Sequence, residues 1–224
     1  MLKDGIDPDS HVFSCTLKSC ASAAALQNGR LLHIQIIKRG LKIDAIVGGS
    51  LVDMYAKCGN LVEGRDTLNT IHPQDVVSWN ALISGYPQHC EYTLAEECLH
   101  AMQAQGLKTN STTYISILAA CSHVGTVNDD HWYFTSMVIG HITPNVEHFN
   151  CMIDLLGRSG YLNDALKLLS SMPIIINTTG WTSLHAACRK FGNLNLAKEC
   201  FHQIMQLDPD NAAAFIVMSI KLLC

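Results

Sequence analysis

At 224 residues the chain is long enough to bury a sizeable core, and 48% hydrophobic but only 7% aromatic residues with six prolines favour helices packed through small and branched side chains. The longest apolar run, Ala212 to Met218, is seven residues, far below the roughly 20 that cross a bilayer, so no membrane partner is expected. A net charge of -4 gives no global pull on a polyanion, although 15 Lys and Arg can still gather along one face.

The first residues, MLKDGIDPD, carry neither an apolar signal core nor the Arg-rich, acid-poor character of a transit peptide, so they are not expected to direct localisation. Beyond them one pattern recurs. Cys20, Tyr55, Tyr86, Cys121, Leu156 and Cys188 occupy equivalent places, spaced 35, 31, 35, 35 and 32 residues apart, the period of a stacked helical hairpin. Seven places earlier stand Phe13, Gly48, Trp79, Tyr114, Phe149 and Trp181, and four places later Ala24, Gly59, Cys90, Gly125, Gly160 and Gly192. A third column, nine places later, holds Gly29, Gly64, Ala95, Asp130, Ala165 and Ala197. Small residues there let helices approach, while the aromatic column fills the space between units.

Each unit reads as two helices. Between Val76 and Asn110, Trp79, Leu82, Ile83 and Tyr86 recur at helical intervals, and Leu94, Cys98, Leu99 and Met102 do so after a short break. Gly5, Gly40 and Gly106 lie four residues before the boundary residues Asp9, Asp44 and Asn110, where a left-handed C-cap is expected. The predicted fold is all-α, a right-handed α-solenoid or superhelix of helix-turn-helix repeats. Residues 1–9 match only the tail of a unit and 212–224 only the start of one. The chain is therefore expected to be cut at both ends and to oligomerise through exposed solenoid ends, or to dissolve poorly.

The segments VGGSLVDMYAKCGNLVEGR (47–65), VVSWNALISGY (76–86) and VEHFNCMIDLLGRSGYLNDALKLLSSMP (146–173) closely resemble the plant pentatricopeptide repeat family. The alternating lengths resemble its PLS subclass, in which long (L), short (S) and standard (P) repeats alternate. On that resemblance 1–177 is a repeat array: a partial repeat at 1–9, then 10–44 (L), 45–75 (S), 76–110 (P), 111–145 (L) and 146–177 (S). Residues 178–224 resemble a truncated, tetratricopeptide-like E segment. Gly49, where S repeats usually carry Asn, Asp130, where a small residue belongs, and His185, where a Leu would pack, depart from the pattern.

The resemblance implies that each repeat reads one unstacked base of single-stranded RNA through position five of its first helix and its last residue. This assigns base contacts to Asn80 with Asn110, Asn150 with Asn177, Ser14 with Asp44, and Asp75, whose position-five mate is Gly49. Ile46 and Val77, second in their repeats, are the base-stacking candidates; His11, Thr112 and Glu147 suit that role less. C, or less strongly U, is expected at the Asn80 and Asn150 repeats and a weak G preference at the Ser14 repeat, while Gly49 and Ile115 should discriminate poorly. Taken without the resemblance, boundary Asp and Asn residues are equally ordinary helix caps.

No catalysis, metal or cofactor is expected. The ten cysteines contain no CxxC pair and read as small buried side chains. His89-Cys90-Glu91 spells the H-x-E piece of a zinc deaminase, but no CxxC follows it. The resemblance implies a role in mitochondrial or chloroplast RNA modification such as C-to-U editing, with a deaminase or editing factor supplied in trans through the segment from Thr178, or in RNA processing. A protein-protein scaffold and a non-functional truncated product are the alternatives.

Overall fold

The computed structural model of the protein describes residues 8–88, 92–125, 127–172 and 178–212. Within them lie twelve helices: α1 (Ser10–Ser22), α2 (Leu26–Lys38), α3 (Ala45–Lys57), α4 (Leu61–Thr70), α5 (Val76–Gln88), α6 (Tyr92–Ala104), α7 (Ser111–Val124), α8 (Val127–Ile139), α9 (Val146–Arg158), α10 (Leu162–Ser171), α11 (Thr178–Phe191) and α12 (Leu194–Leu207). Among the described residues there is no strand, and no helix is long and apolar enough to cross a membrane. The expected all-α solenoid of helical hairpins is thus the fold. Of the expected end pieces at 1–9 and 212–224, residues 1–7 and 213–224 lie outside the described residues, as do the His89-Cys90-Glu91 triplet and Asn177.

Short side chains start the helices. Asp44 Oδ1 accepts from the Ile46 and Val47 amides at the head of α3, at 3.1 and 3.0 Å, and Asp9 does the same for α1 through Val12. Asn145 caps α9 with a reciprocal bond from its own amide to His148 Nδ1. These bonds satisfy donors that the first helical turn leaves without partners.

The recurring glycines stop them. At the end of α3 the Gly59 amide donates to Ala56 and the Asn60 amide reaches back to Tyr55, at 3.1 and 2.9 Å, with Gly59 at φ 78°. This is a Schellman motif, which needs a left-handed residue just past the helix. The same pair of bonds closes α1 and α8, but there the left-handed residues are Ala24 (φ 49°) and His141 (φ 59°). The anchor column Cys20, Tyr55, Leu156 and Cys188 supplies the carbonyls that accept the longer bond, which is why it keeps a fixed distance from the glycine column.

Second helices explain the uneven period. α2, α6 and α8 have 13 residues each, whereas α4 and α10 have ten. The spacings of 31 and 32 residues are the ones that span α4 and α10.

The chain forms two compact units, Met1–Ala120 and Cys121–Cys224. In the first, α1 packs on α3 and α3 on α5, while α2, α4 and α6 each fold back on the helix before them. Phe13, Leu17, Ile36, Val47, Leu51, Met54 and Tyr55 form one buried cluster of this unit. Packing is close enough that a Cβ on Gly85 of α5 would stand 2.6 Å from the Ala56 Cβ of α3. In the second unit α9 packs on α11, and α10 and α12 lie against them around Ile153, Leu169, Trp181, Leu184 and Ile204. Cys20, Cys98, Cys121, Cys188 and Cys200 are buried and belong to no disulfide.

Candidate nucleic-acid interface

Stacking first helices side by side places equivalent positions of successive repeats in a row, because each repeats the same turn-to-helix register. In the first unit this row lines a groove of about 540 Å³. Ser14, Gly49 and Asn80 come from the body of α1, α3 and α5, Asp75 and Asn110 from the turns before α5 and α7, and Ile46 and Val77 from the first turns of α3 and α5. Ile46 and Val77 are 63% and 68% exposed, available to the flat face of a ligand. Of the other candidates, Asp44 caps α3 and is not part of the groove wall, and Asn150 belongs to the second unit.

The Asn80 pair is the most fully determined. Asn110 Oδ1 accepts from the backbone amide of Thr113 at 3.0 Å, and the Asn110 amide donates to Thr113 Oγ1 at 3.2 Å, a capping box at the head of α7. Asn80 Nδ2 donates to the same Asn110 Oδ1 at 3.1 Å. The Thr113 hydroxyl donates to Asn80 Oδ1 at 2.7 Å. That hydroxyl also lies 3.0 Å from Asn110 Oδ1, but it has one proton and the shorter contact takes it. A backbone N–H can only donate, so the orientation of both amides follows from that one bond.

The other pairs are built differently. Ser50 Oγ donates to the Ile46 carbonyl at 2.8 Å, so in the 2.6 Å contact between Ser14 and Ser50 the proton comes from Ser14. Ser14 therefore offers the groove only lone pairs. Asp75 Oδ1 accepts from the Ser78 amide at 2.8 Å. The Ser78 hydroxyl is buried without a partner, and a Cβ on Gly49 would stand 3.3 Å from it. In the second unit Asn150 Oδ1 is also buried without a partner, and a Cβ on Gly180 would stand 3.1 Å away.

Charge in the groove is sparse. Lys18, Asp53 and Asp75 are its ionisable residues, and Asp53 is bridged at 2.9 Å by Lys57. A second cavity of about 440 Å³ lies on α2 and α4. There Arg30 grips Glu63 with two bonds at 3.1 and 2.7 Å, and His33 Nδ1 meets the Tyr55 hydroxyl at 2.8 Å. Burial, aided by the Glu63 charge, pushes Tyr55 up to about 12, and burial lowers His33. The Arg30 hydrogen bond holds Glu63 below the usual carboxylate range. These shifts describe a bonded cluster bracing α2, α3 and α4. Among the described residues no group of three or more His, Cys, Asp and Glu is placed to hold a metal ion.

Sequence reading missed Thr113, Ser78, Ser50 and Lys18. The first two stand three residues after a boundary Asn or Asp, the spacing of a capping-box partner, and were legible on that ground. Ser50 and Lys18 carry no such signal.

Known proteins bear on this geometry. A model of the PPR repeat family matches residues 74–123, and PPR repeat models match 140–173 and 180–208. The last stretch is where the E-like segment was expected. The Arabidopsis thaliana pentatricopeptide repeat-containing protein At1g06140, mitochondrial, is 32% identical over 98% of this chain and 39% of its own length. Protein CRR2, chloroplastic, of the same plant is 38% identical over 95% of the chain and 32% of its own. The chain thus spans about a third of the length of these relatives. Among solved structures, the pentatricopeptide repeat protein PPR10 in complex with an 18-nt psaJ RNA element superposes with a TM-score of 0.80. That match covers 95% of this chain and 32% of PPR10 at 18% identity, a likeness of fold.

Proposed function

Because the chain belongs to the pentatricopeptide repeat family, we propose that it binds single-stranded RNA and reads one base per repeat from the groove on α1, α3 and α5. The observation that carries this reading is the row of Ser14, Gly49 and Asn80 in one groove, with Asp75 and Asn110 beside it and Ile46 and Val77 exposed along it. The fold that PPR10 presents to its RNA element supports it too.

Base preferences follow from which hydrogen-bonding groups remain after the chain's own bonds. At the Asn80 repeat the second Asn80 side-chain amide hydrogen and the Asn110 side-chain NH2 remain, all N–H donors. Cytosine presents acceptors at N3 and O2, whereas uracil turns an N–H outward at N3, so this repeat prefers C. Ser14 lone pairs accept only, which suits the N–H groups of G, while Asp44, its mate, stands outside the groove wall as the cap of α3. Asn150, with Asn177 as its mate, takes a pyrimidine. Gly49 and Ile115 discriminate poorly.

The repeat register 10–44, 45–75, 76–110, 111–145 and 146–177 and the PLS assignment belong to the same proposal. So does an organelle setting, since the relatives named above are mitochondrial and chloroplastic. RNA processing, or C-to-U editing with a deaminase recruited in trans through the region from Thr178, is the proposed role. The scaffold alternative draws on exposed Leu31, Ile34 and Ile37 of α2.

The test is selection from a randomised single-stranded RNA pool with the wild-type chain and Asn80→Asp. C enrichment at one position, moving to U in the variant because a carboxylate accepts the uracil N–H, supports base reading. Binding no better than to a duplex DNA control would sink it.

A further inference from the structure

Three places in the fold share one geometry, and two of them are incomplete. Position five of a repeat faces the third residue of the first helix in the next repeat: Asn80 faces Thr113, Gly49 faces Ser78, and Asn150 faces Gly180. Where both polar partners exist they bond at 2.7 Å. Where the amide is missing, the Ser78 hydroxyl is left buried and unpartnered; where the hydroxyl is missing, Asn150 Oδ1 is. Buried polar atoms are rarely left so, and each orphan here is the complement of the group its neighbour lacks.

We infer that Thr113 is a specificity-positioning residue: its hydroxyl holds the Asn80 amide with oxygen inward and N–H outward, and thereby sets the C-over-U choice of that repeat. The inference rests on the base-reading proposal above and names the residue that makes it directional. A primary amide can turn over about its last bond and exchange donor for acceptor. Turned over, Asn80 would offer its oxygen to the uracil N–H, so an amide free to take either orientation would make C and U near equivalents. Two bonds oppose that, to Asn110 Oδ1 and from Thr113 Oγ1. The Thr113 side chain is fully buried and does not itself line the groove, so altering it removes no surface that a base would touch, although the Asn110 backbone amide loses its acceptor together with Asn80 Oδ1 losing its donor. The Thr113 backbone amide still caps against Asn110 in any variant. Asn150 has no hydroxyl at the equivalent place, so its repeat accepts either pyrimidine.

The experiment is the same RNA-pool selection with the full chain, run for wild type, Thr113→Val, Thr113→Ser, Asn80→Asp and Gly49→Asn, each checked by circular dichroism and its unfolding midpoint. Thr113→Val keeps the shape and removes the hydroxyl. Its C-to-U ratio at the Asn80 position is expected to fall about tenfold, the order of one lost hydrogen bond, with neighbouring positions unchanged. Thr113→Ser restores the ratio. Gly49→Asn, which gives the Ser78 hydroxyl a partner, is expected to add a pyrimidine preference one position along the RNA, a gain that misfolding cannot mimic. An unchanged ratio in Thr113→Val while Asn80→Asp shifts it would overturn the positioning role and leave base reading intact. Should Thr113→Val fail to fold, no gain in Gly49→Asn overturns it. No base enrichment by the wild type overturns both.

Discussion

His185 occupies a leucine-like place in α11, fully buried, with Nδ1 lacking a partner and the Phe201 ring 6.2 Å away. Burial lowers its pKa from the model-compound value of 6.5, and burial lowers that of His33 in the same direction. A histidine depressed in the folded chain binds fewer protons there than when unfolded. Its contribution is complete above about pH 6.5 and is lost as pH falls through the lower folded value. His185→Leu is expected to stabilise the protein at pH 7 by about 1–3 kcal/mol, the cost of an unsatisfied buried polar group, and to flatten the decline that sets in as pH falls below 6.5. Urea unfolding at several pH values checks both; a variant less stable than wild type at pH 7 would show that the imidazole packs better than its unpaired nitrogen suggests.

Helices in this chain are set by their ends, and the ends were the most legible part of the sequence. The glycine column marked the turns because a left-handed residue is cheapest there as glycine. Among the described residues two places break that rule, Ala24 and His141, and each residue without glycine's freedom costs roughly 1–2 kcal/mol in this conformation. Ala24→Gly, and to a smaller degree His141→Gly, are expected to raise the unfolding midpoint by about 2–4 °C, since both side chains are exposed and give up no packing. A thermal melt decides; a lowered midpoint would mean that unfolded-chain entropy outweighs the strain. The polar details were less legible. That Asn110 would be bonded to Asn80 depends on two residues 30 apart meeting across a helix pair, and the orphaned Ser78 hydroxyl depends on what Gly49 lacks. Sequence spacing identified the columns in which these residues stand, but not which of their atoms the fold would already have used.

For the molecule as a ligand-binding body, charge is the discriminating variable. With a net charge of -4 and Lys18 in the groove, the proposed RNA affinity has to come from a few local cations together with stacking and hydrogen bonds. The logarithm of affinity is expected to fall linearly with the logarithm of salt, and Lys18→Ala to reduce that slope by about 0.7, the share of one phosphate on a single strand. A slope near zero would favour the apolar scaffold reading. The shared caps carry a consequence for how such a molecule changes over generations. Asp44, Asp75, Asn110 and Asn145 each give an oxygen to the helix that follows, so a boundary residue can mutate freely only among side chains that still start a helix. In the proposed reading, the vocabulary available for new RNA targets is therefore limited in advance to Asp, Asn, Ser and Thr. A lysine or arginine that suited a base better would be selected against for the helix it failed to begin.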